Sequence, residues 1–409
     1  MSISPRERFL GICHFERLGD LLLTAPYPNL FYTETQEEWV KQGAPKQIVI
    51  PTKKQWLESN CFLYDYFQFE PMRWLAEIKS GLWGAVASSE IVDLGHGIKV
   101  SAGIGSPLLI PAYEPRIITE DERTVTYING EGQTLKVLKD NSMRMPMFID
   151  WPVKDRATWN EYKKRLDPNT PERWPADWNA YVQEMNKLGE ETPITLDVGG
   201  FYFFLREWVG SERLLYMFYD DPVLIEDMME QMLYLETEVI KRVLKDIRVN
   251  WAYFVEDIAF RSGPLISPAM VRKFMMPRYK KITDLLHSHG VDVIQVDSDG
   301  NLNELIPLWL EAGINFLWPF EVAAGNDAVT IRKKYGRDLI IGGTIDKRAL
   351  IKGKEAIREE VMSKVPFLLE TGGYFPSVDH TVPPDVTFEN FCYYINLMRE
   401  VAGLEKLSS

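Results

Sequence analysis

The chain of 409 residues is long enough for two average domains or for one α/β barrel with insertions. Hydrophobic residues make up 45% of the chain and charged residues 26%, which is ordinary for a globular protein with a sizeable core. Because 59 acidic residues outnumber 46 basic ones, the net charge of −13 argues against binding a nucleic-acid backbone, which needs clustered cations.

Cysteine usage and hydropathy predict a soluble, cytoplasmic protein. Cys13, Cys61 and Cys392 are widely spaced and form no CxxC pair, so no disulfide framework is expected. The N-terminal segment is charged from Arg6 onward and lacks the apolar core of a signal peptide. No apolar run approaches the roughly 20 residues that span a bilayer, so no membrane association is expected.

The N-terminal part of the chain predicts an irregular mixture of helices and strands. Residues 4–17 are typical of a capped helix, residues 19–26 of a short strand, and residues 33–43 of a second helix. Residues 90–140 alternate apolar and polar side chains around the turn sequence NGEG, which predicts an inserted β-hairpin or small sheet. Residues 151–185 are rich in Trp, Pro and charge, which indicates short capped helices and loops.

From about residue 190, short apolar strands alternate regularly with longer amphipathic segments. The expected strands cover residues 194–200, 251–257, 291–300, 314–321, 338–346 and 374–380. The expected helices include residues 211–246, 267–290, 301–313, 326–336 and 353–373, several of which end at a glycine. Strand–helix alternation of this kind indicates parallel βα units.

The six βα units, together with a strand near residue 20, fit an (α/β)8 TIM-type barrel better than an open sheet. We therefore expect one barrel domain over residues 1–409, with an N-terminal elaboration over about 1–185 and regular units over about 190–405. No GxGxxG or GxxxxGK[ST] motif supports a doubly wound nucleotide-binding fold.

Acidic residues end consecutive predicted strands. The pattern comprises Glu256 and Asp257, Asp297 and Asp299, Glu321, Asp346, and finally Asp379 with His380. Since the carboxyl ends of barrel strands open on one face, these side chains should converge there. Aspartate also caps the helix that follows a strand, so this interpretation stays open for Asp299 and Asp346.

Clustered carboxylates can share protons, act as general acids or bind a cation. Crowding raises the pKa of some of them, which suits an acid that protonates a leaving group. His380 is the one histidine at a predicted strand end, which favours a role in the site over a structural one. Tyr202 and Phe203 follow the glycine pair Gly199 and Gly200 and either line a pocket or begin a hydrophobic helix.

Three segments in the second half of the chain form an ordered series of motifs: FVEDIAFRSGPLISPAMVRKFMMPRYKKITDLLHSHGVDVIQVDSDGNLNELIPLWLEAGINFLWPFE, GGTIDKRALIKG and GGYFPSVDHTVPPDVTFENFCYY. This series resembles the motifs of the uroporphyrinogen decarboxylase-like superfamily. The resemblance is strong over residues 190–402 and weak toward the N-terminus. The resemblance implies a single (α/β)8 barrel with its site at the carboxyl ends of the strands.

The resemblance also separates two branches of that superfamily. Decarboxylases carry an arginine-rich MRQAGR-like N-terminal motif, which SPRERFLGICHFER does not contain. An acidic site would also repel a porphyrinogen that bears eight carboxylates. In the thiol-methylating corrinoid-dependent members, zinc binds an H-x-C motif and a later cysteine. In this chain Asp297, Ser298 and Asp299 take the place of the H-x-C motif, and the place of the later cysteine falls near Val378. Activation of a thiolate by zinc is therefore not expected.

The remaining resemblance is to O-demethylase-type methyltransferases. These take a methyl group from a methyl ether, such as a methoxylated aromatic, and give it to cob(I)alamin on a separate corrinoid protein. For this chemistry we expect the catalytic residues to be Glu256, Asp257, Asp297, Asp299 and His380, and the substrate-binding residues to be Tyr202, Phe203, Phe260, Trp318, Glu321 and Tyr374. No DxHxxG corrinoid motif occurs in the chain, so the corrinoid is expected on a partner protein.

Several alternatives stay open. The reverse half-reaction, methyl transfer from a methylcorrinoid to tetrahydrofolate, would use Asp297 or Asp299 to bind the pterin. A porphyrinogen decarboxylase and a non-catalytic binding protein are less favoured. No metal site is predicted, although Glu256, Asp299 and His380 are chemically able to hold zinc. A homodimer is compatible with the sequence.

Overall fold

The computed structural model describes residues 3–23, 31–50, 55, 57–59, 61–82, 91–95, 99–101, 108–139 and 146–407. Within these residues the strands, in chain order, are β1 Arg73–Trp74, β2 Ile91–Asp93, β3 Lys99–Ser101, β4 Arg116–Glu120, β5 Thr124–Ile128, β6 Thr134–Leu138, β7 Met147–Asp150, β8 Ile194–Asp197, β9 Trp251–Val255, β10 Ala259–Phe260, β11 Gly263–Pro264, β12 Ile294–Asp297, β13 Phe316–Leu317, β14 Ile340–Gly342 and β15 Tyr374–Phe375.

The helices of the same residues are α1 Pro5–Cys13, α2 Thr33–Lys41, α3 Phe62–Phe67, α4 Arg156–Tyr162, α5 Trp178–Leu188, α6 Tyr202–Val209, α7 Ser211–Asp220, α8 Pro222–Asp246, α9 Pro268–Met270, α10 Met276–Ser288, α11 Ile306–Glu311, α12 Ala328–Tyr335, α13 Lys347–Lys352, α14 Lys354–Met362, α15 Val365–Thr371 and α16 Phe388–Val401. A π-helical turn, Val271–Met275, joins α9 to α10. None of these helices combines the length and apolar character needed to cross a bilayer.

The core of the fold is a parallel sheet with the order β1-β8-β9-β12-β13-β14-β15. Strands β8, β9 and β12 are buried on both faces, as expected for strands that helices cover on one side and a barrel interior on the other. The sheet curls, since the ring of Phe9 in α1 lies 4.5 Å from Trp251 in β9 and 5.3 Å from Phe375 in β15. The predicted TIM-type α/β barrel is therefore confirmed.

The regular βα units follow the sequence pattern closely. Each of the six strands expected after residue 190 contains an observed strand, although the observed strands are shorter. The 25-residue helix α8 begins at Pro222 after the capping residue Asp221, whose side chain accepts a hydrogen bond from the N–H of Leu224. The single helix expected over residues 211–246 is therefore divided at Asp221 into α7 and α8, and the one expected over residues 353–373 is divided into α14 and α15.

The N-terminal part differs from the sequence-based expectation in one strand. Residues 21–23 are buried but belong to no strand, and the rest of the predicted strand, residues 24–26, lies outside the described residues. The edge strand next to β8 is instead β1, where Arg73 pairs with Ile194. A two-residue strand that contains a buried arginine, held by Glu58 and Glu77, carries no recognisable strand pattern.

The predicted insertion is confirmed as two small antiparallel units. Strands β2 and β3 pair with each other, and β4 to β7 form a four-stranded sheet in sequential order. This sheet has its own small core of Val125, Tyr127 and Leu135. The NGEG turn joins β5 to β6, with Gly132 at a φ of +81°.

Candidate functional site at the carboxyl ends of the strands

The parallel register of the sheet brings the acidic strand ends together. Val255 of β9 lies beside Asp297 of β12, so residues 256 and 257 adjoin residues 298 and 299. A cavity of about 410 Å³ opens at this edge of the sheet. Its lining residues are Arg206, Asp257, Ala259, Phe260, Arg261, Leu265, Asp299, Gly300, Glu321, Ala323 and Ala324.

Asp299 and His380 form an ion pair at the cavity, with 3.4 Å between Nε2 of the histidine and Oδ1 of the aspartate. Burial lowers the pKa of His380, but the hydrogen bond and the charge of Asp299 outweigh this effect and raise that pKa above its usual value of 6.5. Burial raises the pKa of Asp299, but His380 outweighs it and holds the pKa below 3.8. The pair therefore favours the protonated form of the imidazole.

Asp257 faces the same cavity from the end of β9. Its backbone has a left-handed φ of +42°, which turns the chain sharply after the strand. Its carboxylate lies 3.3 Å from Nη2 of Arg206 in α6, and Oδ1 accepts a hydrogen bond of 3.4 Å from the N–H of Asp299. Burial and the neighbouring Asp299 raise the pKa of Asp257.

Glu321 closes the cavity from the loop after β13. One of its oxygens accepts a hydrogen bond of 3.0 Å from the N–H of Gly300, and the other lies 3.9 Å from Nζ of Lys347. Gly300 has a φ of +88°, and a Cβ there would lie 2.6 Å from the backbone of Ala259. Only glycine therefore allows the loop after β12 to pack this closely against β10.

Asp297 lies deeper in the barrel than Asp257 and Asp299 and is 3% exposed. The hydroxyl of Tyr253 donates a hydrogen bond to its carboxyl group. Burial and the two neighbouring aspartates raise its pKa well above the usual value. Its burial and the like charges around it therefore favour the neutral, protonated form of Asp297.

Two further acidic residues hold the loops of the site. Glu256 is fully buried and accepts hydrogen bonds from the N–H groups of Phe201, Tyr202 and Phe203 and from the hydroxyl of Tyr279. It thus satisfies the first N–H groups of α6, a helix with no capping side chain of its own. Burial raises the pKa of Glu256 to about 7.

Asp379, which follows β15, has a comparable role. It is 1% exposed and accepts hydrogen bonds of 3.0 Å from the N–H groups of Val322 and Lys347. Burial raises its pKa to about 6. Asp346 caps α13, since its side chain accepts a hydrogen bond from the N–H of Arg348, which decides the alternative left open for this residue.

The aromatic residues expected to bind substrate are divided between the cavity and the barrel interior. Phe260 lines the cavity and is 66% exposed. Tyr202, Phe203 and Trp318 are buried and are not among the cavity-lining residues. Tyr374 is also buried, and its hydroxyl lies 2.6 Å from Oγ1 of Thr344.

Two groups of side chains have the spacing of metal ligands. Asp299, Glu321 and His380 offer ligand atoms within 4.8 Å of one another, and so do Asp257, Asp297 and Asp299. The sequence suggested Glu256 together with Asp299 and His380, but the carboxylate of Glu256 is engaged by α6, and Glu321 lies in that position instead. An imidazole and two carboxylates are acceptable ligands for zinc.

Sequence reasoning missed three polar residues of the site. Arg206 and Lys347 pair with Asp257 and Glu321 from within helices, and no local motif marks such residues. Asp197 ends β8, is buried, and contributes to the raised pKa of Asp297. Asp197 follows the same acidic strand-end pattern as the other carboxylates, so that pattern could have identified it.

Comparisons with known proteins agree with this architecture. The sequence profile of the family described as uroporphyrinogen decarboxylase (URO-D) matches residues 137–401. The solved structure of a methyltransferase from Methanosarcina mazei is similar, with a TM-score of 0.57 and 14% sequence identity over 98% of this chain and 99% of that chain. No curated protein matches the chain. Because the profile covers more than half of the sequence, the protein belongs to the URO-D family.

Proposed function

We propose that this protein is a methyltransferase that removes the methyl group of an O-methyl aromatic ether and passes it to the corrinoid of a separate partner protein. The observation that carries the proposal is the Asp299–His380 ion pair beside a cavity with an exposed aromatic wall, Phe260. The family and the name of the Methanosarcina mazei methyltransferase support the reaction class. We place this reaction in the cytoplasm.

The chemistry requires an acid, because a phenolate leaves poorly unless its oxygen is protonated. His380 supplies that proton as the C–O bond breaks, and the bonding electrons remain on the oxygen, which leaves as a phenol. Asp299 stabilises the imidazolium before transfer and orients the ring. The corrinoid, when bound through its partner, supplies the nucleophile that receives the methyl group.

The other site residues bind and orient the substrate. The exposed ring of Phe260, together with Leu265 and Ala324, provides an apolar surface for an aromatic ring. Asp257 is held by Arg206, and both line the cavity. Glu256 and Asp379 are positioning residues, since their carboxylates bind backbone N–H groups of the loops that carry the site.

The test is an assay that combines the protein, its partner loaded with cob(I)alamin and a panel of methoxylated aromatics, with methylcorrinoid formation followed by absorbance. His380→Gln should reduce the rate by a factor of about 10²–10⁴, the usual contribution of a general acid. The matched control is His289→Gln, because His289 lies on the exposed end of α10. Unchanged folding of both variants is checked by circular dichroism.

The alternatives have separate outcomes in the same assay. If no ether is demethylated but tetrahydrofolate binds and accepts a methyl group, the reverse half-reaction replaces this proposal. If His380→Gln retains the full rate on an ether that the wild-type protein demethylates, the role of His380 as the acid is wrong.

A further inference from the structure

The carboxylates that line the cavity are each paired with a cation. Asp257 lies 3.3 Å from Arg206, Asp299 lies 3.4 Å from His380, and Glu321 lies 3.9 Å from Lys347. The acidic side of the cavity therefore carries little net charge despite the acidic sequence. A cationic substrate gains little from carboxylates that are already neutralised.

Arg261 is the remaining charged residue of the cavity lining. It lies in the turn between β10 and β11, is exposed, and forms no ion pair with any described residue. Its neighbours in the cavity wall are Phe260, which is 66% exposed, and Leu265, which is 37% exposed. An exposed cation beside an exposed aromatic ring and an aliphatic side chain is suited to an aromatic ligand with an anionic group.

The hairpin that carries Arg261 is tied to the loop that carries Asp299. Phe260 pairs with Gly263 across the hairpin, and the carbonyl of Phe260 accepts a hydrogen bond of 3.0 Å from the N–H of Asn301. The N–H of Leu265 donates a hydrogen bond of 2.8 Å to the carbonyl of Ile258 at the base of the hairpin. The backbone of the hairpin that carries Arg261 is therefore fixed relative to the loop that carries Asp299.

We propose that Arg261 is a specificity-determining residue that selects methoxylated aromatics bearing a carboxylate, an inference that rests on the proposed function. The carboxylate binds the guanidinium of Arg261, the ring lies against Phe260 and Leu265, and the methoxy oxygen approaches His380. A guanidinium binds a carboxylate through two parallel hydrogen bonds, which fixes the direction in which the ring enters.

The experiment compares two ligands of nearly equal shape. 3-Methoxybenzoate carries the carboxylate, and 3-methoxybenzamide replaces it with a neutral amide. Demethylation of each is measured with the complete system of protein and corrinoid-loaded partner, and binding to the protein is measured by calorimetry. The variants are Arg261→Gln, Arg261→Lys and the control Arg358→Gln, which removes an exposed arginine from α14.

The wild-type protein should have a KM for the benzoate about tenfold or more below its KM for the benzamide, as expected for a charge-assisted contact. Arg261→Gln should remove this preference by raising KM for the benzoate alone, with kcat nearly unchanged. Arg261→Lys should restore part of it, and Arg358→Gln should have no effect.

The two proposals fail in different ways. If both ligands are demethylated equally well by the wild-type protein and by Arg261→Gln, the role of Arg261 is wrong and the proposed function stands. If no methoxylated aromatic is demethylated or bound, the proposed function fails first. If Arg261→Gln weakens both ligands equally, Arg261 contributes only packing.

Discussion

Neighbouring polar residues at the same strand end have different environments in this protein. Glu256 is fully buried and is surrounded by three backbone N–H groups and a tyrosine hydroxyl, whereas the next residue, Asp257, faces the cavity and Arg206. Asp379 and His380 repeat the arrangement on another strand, with the aspartate on backbone N–H groups and the histidine at Asp299.

The comparison teaches that an acidic strand end serves two purposes. One residue accepts hydrogen bonds from backbone N–H groups that follow other strands of the sheet, and its neighbour lies at the cavity or at Asp299. We call the residue that binds backbone N–H groups (Glu256 or Asp379) the inner residue and its neighbour (Asp257 or His380) the outer residue. Substitution of an inner residue should therefore reduce stability, and substitution of an outer residue should reduce activity. The following predictions test that division, beginning with the largest expected effect.

Removing the inner carboxylate of Glu256 should destabilise the fold strongly. Glu256→Ala leaves the N–H groups of Phe201 and Tyr202 and the hydroxyl of Tyr279 without their buried acceptor. The expected loss is about 4 kcal/mol of unfolding free energy, measured by urea denaturation. Glu359→Ala, an exposed change on α14, should alter stability by less than about 0.5 kcal/mol. Equal losses in the two variants would contradict the structural role of Glu256.

Gly300, which follows Asp299, should be nearly as sensitive to substitution as Glu256. Gly300→Ala places a Cβ 2.6 Å from the backbone of Ala259 at a φ of +88°, so the loop must move. We expect a loss of about 2 kcal/mol together with reduced activity, because Asp299 moves with the loop. Gly290→Ala is the matched control, since its φ is +79° but no atom lies within 4 Å of the added Cβ. Equal effects of the two changes would show that strain alone, without a clash, explains the result.

The sequence predicts the fold well where periodicity and caps act locally. The strands after residue 190 alternate with amphipathic helices, some of which have a capping side chain, so the βα units can be recognised from local sequence. The edge strand Arg73–Trp74 could not be found, because its position depends on pairing with Ile194 and on the burial of Arg73 between two glutamates. Tertiary contacts, rather than local preference, decide such a strand.

The site was predictable in its location but not in its internal pairing. The acidic strand-end pattern led to Asp257, Asp299, Glu321 and His380, which the structure brings to one edge of the barrel. The pattern does not say that Glu256 points to a helix terminus, because neighbouring residues of one strand share the same sequence signal. Nor does it identify Arg206, whose helix packs beside the cavity only in the folded chain.

The ion pair between Asp299 and His380 should give stability and activity a characteristic pH dependence. The pKa of His380 is raised above 6.5 and that of Asp299 is lowered below 3.8, so the charged pair exists between these two shifted values. The stabilisation due to protonated His380 is complete below pH 6.5 and is lost as the pH rises through the raised pKa of His380. The stabilisation due to ionised Asp299 is lost as the pH falls through the lowered pKa of Asp299.

Activity that depends on protonated His380 should accordingly decline on the alkaline side of pH 6.5. Asp299→Asn removes the negative charge, so the alkaline decline of kcat/KM should move to lower pH, as measured by single-turnover demethylation across a pH series. Asp292→Asn is the control on a histidine outside the site, because Asp292 pairs with His14. An unchanged pH profile of kcat/KM in Asp299→Asn would mean that the ion pair does not determine the pH dependence of proton delivery.

The smallest effect is expected at Asp346, an acidic strand end whose side chain serves only the helix that follows. Asp346→Ala removes the acceptor of the Arg348 N–H at the start of α13, which should cost about 1 kcal/mol of unfolding free energy. Asp346→Ser keeps a capping oxygen and should recover most of this loss. Demethylation should be unaffected in both variants, because the carboxylate of Asp346 is engaged by the N–H and the guanidinium of Arg348 in α13. A large loss of activity in the serine variant would mean that the carboxylate of Asp346 acts in the site, and the division between inner and outer acidic residues would then have to be redrawn.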